Sequence, residues 1–135
     1  MAERKWVPVS EVMHREVTEI DGGMNVLEAL KIMKQVQATC LIVKRRHERD
    51  EYGMLLFSDI AKHVIGKDRA PERVNVYEIM AKPVISVRPE MDIRYCARLF
   101  ESFGIGHAPV IDETHTVVGI ASYYVLALEA LPTLE

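Results

Sequence analysis

Five histidines, two cysteines and a scatter of carboxylates are the side chains with which this 135-residue chain could do chemistry. His14, His47, His63, His107 and His115 do not cluster at metal-ligand spacing, so no metal site is expected. Cys40 and Cys96 lie in apolar contexts, Thr-Cys-Leu-Ile and Tyr-Cys-Ala-Arg, and form no Cys-x-x-Cys pair. Reduced, buried thiols are the expectation. There is no Gly-x-Ser-x-Gly and no Walker loop, and no base stands by spacing beside a nucleophile. An enzyme is therefore not expected. What remains is hydrogen-bonding chemistry at Asp59 and Ser122, each near the start of a closing helix. Asp59 is either an early-turn carboxylate favoured by the helix dipole or a ligand acceptor. Ser122 is either a plain N-cap or a ligand contact.

The elements that position these residues come from an internal repeat. Val9-Ser10-Glu11-Val12-Met13 reads like Val76-Tyr77-Glu78-Ile79-Met80, 67 positions on. The same offset carries Val17 onto Val84, Met24 onto Met91, Asn25 onto Asp92, Met33 onto Phe100 and Val43 onto Val110. Gly53 and Gly119 pair after a one-residue deletion. In each half a capping residue, Asn25 or Asp92, precedes a helical stripe. The stripes are Val26, Ala29, Leu30, Met33, Val36 and Ile93, Cys96, Ala97, Phe100, Phe103, the second stopped by Gly104. Two strand-length apolar runs follow in each half, 41–43 with 53–57 and 108–111 with 117–121, and then a helix, 59–65 or 123–131. The order per half is short strand, helix, strand, strand, helix. The halves span 9–65 and 76–131, with 66–75 as the linker. The charged run from Lys44 to Glu51 reads as a solvated hairpin loop.

Composition agrees with a compact soluble chain: 49% hydrophobic, 27% charged, net charge −3. That charge sets up no basic field for nucleic acid or an anionic membrane. No run approaches the length of a membrane span, and the opening residues lack the apolar stretch of a secretory signal, so a cytoplasmic location is expected.

The repeat has the shape of a known family. Glu11-Val12-Met13, Glu78-Ile79-Met80-Ala81-Lys82-Pro83-Val84, Leu27-Glu28-Ala29-Leu30-x-x-Met33, Gly53-Met54-Leu55-Leu56-Phe57-Ser58-Asp59-Ile60 and Ala108-Pro109-Val110-Ile111-Asp112 resemble the motifs of CBS repeats. Their order, met twice between Val9 and Leu128, identifies a tandem CBS-domain chain, or Bateman module. The resemblance implies an α+β fold of two pseudo-twofold-related βαββα repeats, association into a homodimer, and a regulatory role with no catalysis. It also implies clefts that take adenosyl compounds: AMP, ADP, ATP or S-adenosylmethionine. No cofactor is expected beyond such a regulatory ligand, and the regulated partner, acting in trans, is unknown.

In the family the closing strand and helix read Gly-apolar-apolar-Thr/Ser-x-x-Asp. The resemblance gives the Asp to the ribose hydroxyls, since a carboxylate accepts from a cis-diol in parallel. It gives the hydroxyl to sugar or phosphate. This sequence departs from the motif twice. The first repeat has Leu56 at the hydroxyl position but keeps Asp59; the second keeps Ser122 but has Val125 at the acid position. By the same resemblance Thr18 and Ile85 line the adenine slots, with Met54, His107 and Pro109 beside the clefts. Ordinary strand packing and a surface histidine are the alternatives there. The Asp59 cleft is the better nucleotide candidate. The broken motifs also suit a ligand-free dimerisation or scaffold module.

Overall fold

The computed structural model describes residues 5–134; the first four residues of the opening segment read above for a leader lie outside it, as does Glu135. The described chain forms two packed units. A continuous unit runs Thr18–Val84. A split unit joins the chain up to Val17 with the chain from Ile85 onward.

The continuous unit contains β1 (Glu19–Ile20), α1 (Val26–Val36), β2 (Cys40–Val43), β3 (Gly53–Leu56) and α2 (Phe57–Ile60), which runs on as a wide turn over Ala61–Ile65. β1 pairs parallel to β2, and β2 antiparallel to β3. Asn25 caps α1 as expected: its side-chain oxygen accepts the Glu28 N–H at 2.9 Å. The stripe of α1 then buries Val26, Ala29 and Met33 against Leu41 and Leu55 of the sheet. Residues 66–75 are not all solvated. Val74 is buried in this core, and its carbonyl accepts the Val26 N–H at 2.8 Å.

The split unit contains α3 (Ile93–Phe103), β4 (His107–Ile111), β5 (Val117–Ser122), a wide turn over Val125–Glu129 and α4 (Leu131–Leu134). β4 and β5 are antiparallel. Ile93, Cys96 and Phe100 form the buried face of α3, and Gly104 closes the helix in the left-handed region at φ 65°. The helix expected over 123–131 is interrupted: its chain turns at Ala130 before α4. Cys96 is buried as expected, whereas Cys40 is half-buried; neither is in a disulfide.

Each unit takes its entry segment from the other sequence repeat. Val76 donates to the Met24 carbonyl in the continuous unit, at 2.8 Å. Val9 donates to the Met91 carbonyl in the split unit, also at 2.8 Å. The segments then bridge to the closing strands. Ala81 exchanges both backbone hydrogen bonds with Met54, and His14 does the same with Ile120.

This exchange explains the paired glycines. A Cβ on Gly53 would lie 2.7 Å from Met80 Sδ, and one on Gly119 would lie 2.5 Å from Met13 Sδ and 2.9 Å from the His14 carbonyl oxygen. A thioether can swing aside, but a bridged backbone cannot. Gly119→Ala is therefore expected to cost about 1–3 kcal/mol as an overpacking change, and Gly53→Ala less. Chemical denaturation of both variants checks the order.

The loop from Lys44 to Glu51 is mostly exposed, as its charge pattern suggests. It is tied down by Asp50, whose carboxylate accepts from the Arg46 backbone at 2.9 Å and from Lys82 Nζ at 2.8 Å.

Candidate ligand-binding site

In the continuous unit two of the candidate residues, Thr18 and Asp59, lie at one end of the sheet. β3 ends at Leu56, β2 begins at Cys40 and the parallel entry strand begins beside Thr18. Thr18 offers its carbonyl to the Ile42 N–H at 3.0 Å, which fixes the strand at this corner. α2 starts on the last residue of β3, so Asp59 falls in its first turn. Asp59 Oδ2 accepts the Leu56 N–H at 2.9 Å. Its other oxygen has no hydrogen-bond partner among the described residues, and the side chain is half-buried. Cys40 pairs with Leu56 across the strands. Burial first, and the Asp59 charge second, push its thiol up to about 12. A thiol held neutral in this way is no nucleophile.

The split unit repeats this corner with different side chains. His107 pairs with Ser122 at the matching end of β4 and β5. Ser122 Oγ accepts the Val125 N–H at 3.4 Å. Val125 itself is buried. His107 is half-buried, and burial pushes its imidazole below the usual value, towards the neutral form.

Hydroxyl-x-x-acid is thus also a capping-box pattern, in which the first side chain caps the third amide and the acid reaches back to the first. Here the box is divided. The continuous unit keeps the acid half at Asp59, and the split unit keeps the hydroxyl half at Ser122.

The remaining predicted residues are placed as follows. Ile85 is half-buried at the start of the split unit. Pro109 is buried in β4, and its carbonyl accepts the Val87 N–H at 3.0 Å. A proline has no N–H to return, so the rung that joins Ile42 to Thr18 has no counterpart between Pro109 and Ile85. The second entry strand is accordingly reduced to one bridge, Val87 to Val110. Met54 lies within β3 with its side chain buried and both backbone groups bonded to Ala81. Thr18 and Asp59 therefore share the sheet end in the continuous unit, while Ser122, His107 and Ile85 belong to the split unit. Cys40 was not among the sequence candidates. The 67-residue offset that lays it on His107 was the available signal.

Comparison with known proteins places this geometry in context. The family model of the CBS domain matches residues 9–66 and again 76–126. A hexameric CBS-CP12 protein from bloom-forming cyanobacteria is 39% identical, with a TM-score of 0.89 over 92% of this chain and 71% of that one. A CBS domain pair solved in complex with 5′-methylthioadenosine and S-adenosyl-L-methionine is 21% identical, with a TM-score of 0.77 over 91% of this chain and 94% of that one. A homoserine O-acetyltransferase of Methanosalsum zhilinae is 32% identical over 84% of this chain but only 22% of that protein. An uncharacterised protein of Methanopyrus kandleri is 28% identical over 86% of this chain and 59% of its own length. The chain thus spans less than two thirds of the length of these curated relatives.

Proposed function

The chain belongs to the CBS domain family as a tandem pair, and we propose that it is a regulatory module that senses an adenosyl ligand at the Asp59 corner of its continuous unit. The observation that carries this reading is Asp59 itself. One carboxylate oxygen is fixed by the Leu56 N–H, while the other has no hydrogen-bond partner among the described residues, at a half-buried sheet end. That is the acceptor a ribose diol requires. The structurally similar pair that holds 5′-methylthioadenosine and S-adenosyl-L-methionine supports the ligand class. Thr18 lines the base side of the same corner. Ser122, Ile85, His107 and Pro109 form the weaker corner, which has a hydroxyl and a neutral imidazole but no diol acceptor. The module binds and signals to a partner protein, and it catalyses nothing.

A second reading, a ligand-free dimerisation or scaffold module, is favoured by Val125, which is buried where the family's acid would stand. Thermal shift separates the two. With a millimolar adenosyl ligand the melting temperature should rise by mass action, about 2.7 kcal/mol of stabilisation at one hundred times Kd. The scaffold reading expects no shift with AMP, ADP, ATP or S-adenosylmethionine.

The module acts as a homodimer in this proposal. The closing helical segments leave Phe57 and Ile65 exposed in one unit, and Tyr124, Leu128 and Leu131 in the other. A second copy would cover such apolar surface. Light scattering at tens of micromolar should give twice the mass of one chain; a monomer mass would remove the dimer from the account. No helix among the described residues is long and apolar enough to cross a membrane. A cytoplasmic location is part of this proposal.

A further inference from the structure

The split unit also carries a polar–aromatic feature whose lining includes neither Ser122 nor His107. Trp6, Arg94, Tyr95 and Arg98 line a shallow groove of about 180 Å³. The two rings meet edge to face with centroids 6.1 Å apart, and the Arg98 guanidinium lies 5.5 Å from the Tyr95 ring centre. Trp6 and Tyr95 are nonetheless 55% and 54% exposed.

The groove is held in shape from within. Trp6 Nε1 donates to the Glu90 carbonyl at 3.2 Å. Arg94 is clamped by the buried Asp92 through Nε at 2.8 Å and Nη2 at 2.9 Å. Asp92 neutralises Arg94, but Arg98 has no ion pair among the described residues.

The fold does not require this arrangement. The 67-residue offset lays Trp6, Arg94, Tyr95 and Arg98 on Arg73, Leu27, Glu28 and Lys31. The continuous unit builds the matching helix, α1, without an aromatic pair at that place.

We propose that this groove docks an acidic segment of a partner protein, a carboxylate followed by an apolar side chain. Arg98 presents planar donors suited to a bidentate carboxylate, and the Trp6–Tyr95 corner receives the apolar neighbour. Trp, Tyr and Arg are also the residues that dominate binding energy at protein interfaces. The groove is smaller than the roughly 300–1,000 Å³ of pockets that enclose a drug-sized ligand, so a side chain fits it better than a nucleotide.

The test uses nucleotide-free protein, so that its failure leaves the Asp59 reading standing. A displayed random-peptide library is selected on the immobilised chain, and the leading peptide is synthesised and titrated. Trp6 is the sole tryptophan, so its emission reports the groove directly. The expected result is enrichment of peptides with Asp or Glu beside an apolar residue, and a saturable change in Trp6 emission. Arg98→Glu should weaken binding at least about tenfold without moving the melting temperature, the loss expected for one charge-assisted pair. Arg98→Lys should retain part of the affinity. Selection of no peptide or only non-acidic ones, binding indifferent to Arg98→Glu, or the same emission change with single-stranded DNA would each overturn the proposal.

Discussion

Asp92→Ala should lower stability by about 2–4 kcal/mol, since it removes one partner of a buried ion pair together with its backbone hydrogen bonds. Asp92 is the one fully buried charged side chain among the described residues. It accepts from the Val7 N–H at 3.1 Å, from the Arg94 N–H at 2.9 Å and from the Arg94 guanidinium. These bonds begin α3 and also fasten the entry segment to a helix 85 residues away. Without the carboxylate, Val7 loses its acceptor in a position 1% exposed. Arg94 is partly exposed and can return to water, which keeps the cost below that of a fully enclosed pair. A melting temperature lower by roughly 10 °C is the expected reading.

The pH dependence gives a second check. The Arg94 guanidinium, hydrogen-bonded to Asp92, holds its carboxyl well below the usual carboxylate range. A folded-state value depressed in this way contributes stability in full above the unfolded value of about 3.9, and that contribution fades as pH falls through the folded value. The stability gap between the native chain and Asp92→Asn should therefore hold steady above about pH 4 and narrow in stronger acid.

Asp59→Ala should weaken an adenosyl ligand by one to two decades. The loss is that of a hydrogen bond to a charged acceptor, worth about 1.5–3 kcal/mol. The fold should tolerate the change. Asp59 accepts one backbone bond, from Leu56, and loss of a helix-capping contact costs typically about 1 kcal/mol. Asp59→Asn should fall between native and alanine, because an amide offers a single uncharged acceptor. Ser122→Ala should change affinity much less, since Ser122 lies in the unit that has Val125 at the acid position and its cap contact is long, 3.4 Å. If Ser122→Ala abolished binding while Asp59→Ala left it intact, the two corners would have to exchange roles.

Much of this architecture was legible in the sequence because it is local. Asn25 and Asp92 cap where their spacing to the apolar stripes indicates, and Gly104 stops α3 in the left-handed conformation that favours glycine. The exchange of entry segments was not legible. Val9 and Val76 are apolar residues in short turns, and nothing in their periodicity says which helix they will meet. Pro132, just past the helix expected over 123–131, lies early in α4, where a missing N–H leaves no bond unmade. At the candidate site, Asp59 and Ser122 were found through their motif. Cys40 was read only as a thiol in an apolar context; its place beside Leu56 comes from the cross-strand register, at which the 67-residue offset onto His107 only hints.

The central claim is that one corner, the one holding Asp59, takes an adenosyl ligand. Calorimetric titration of the native chain with AMP, ADP, ATP, 5′-methylthioadenosine and S-adenosylmethionine tests it most directly. The account predicts saturable binding of at least one of them, at one site per chain, with affinity between tens of micromolar and millimolar, about 4–6 kcal/mol on the standard scale. Heat no different from buffer for every compound, or two equal sites per chain, would contradict it.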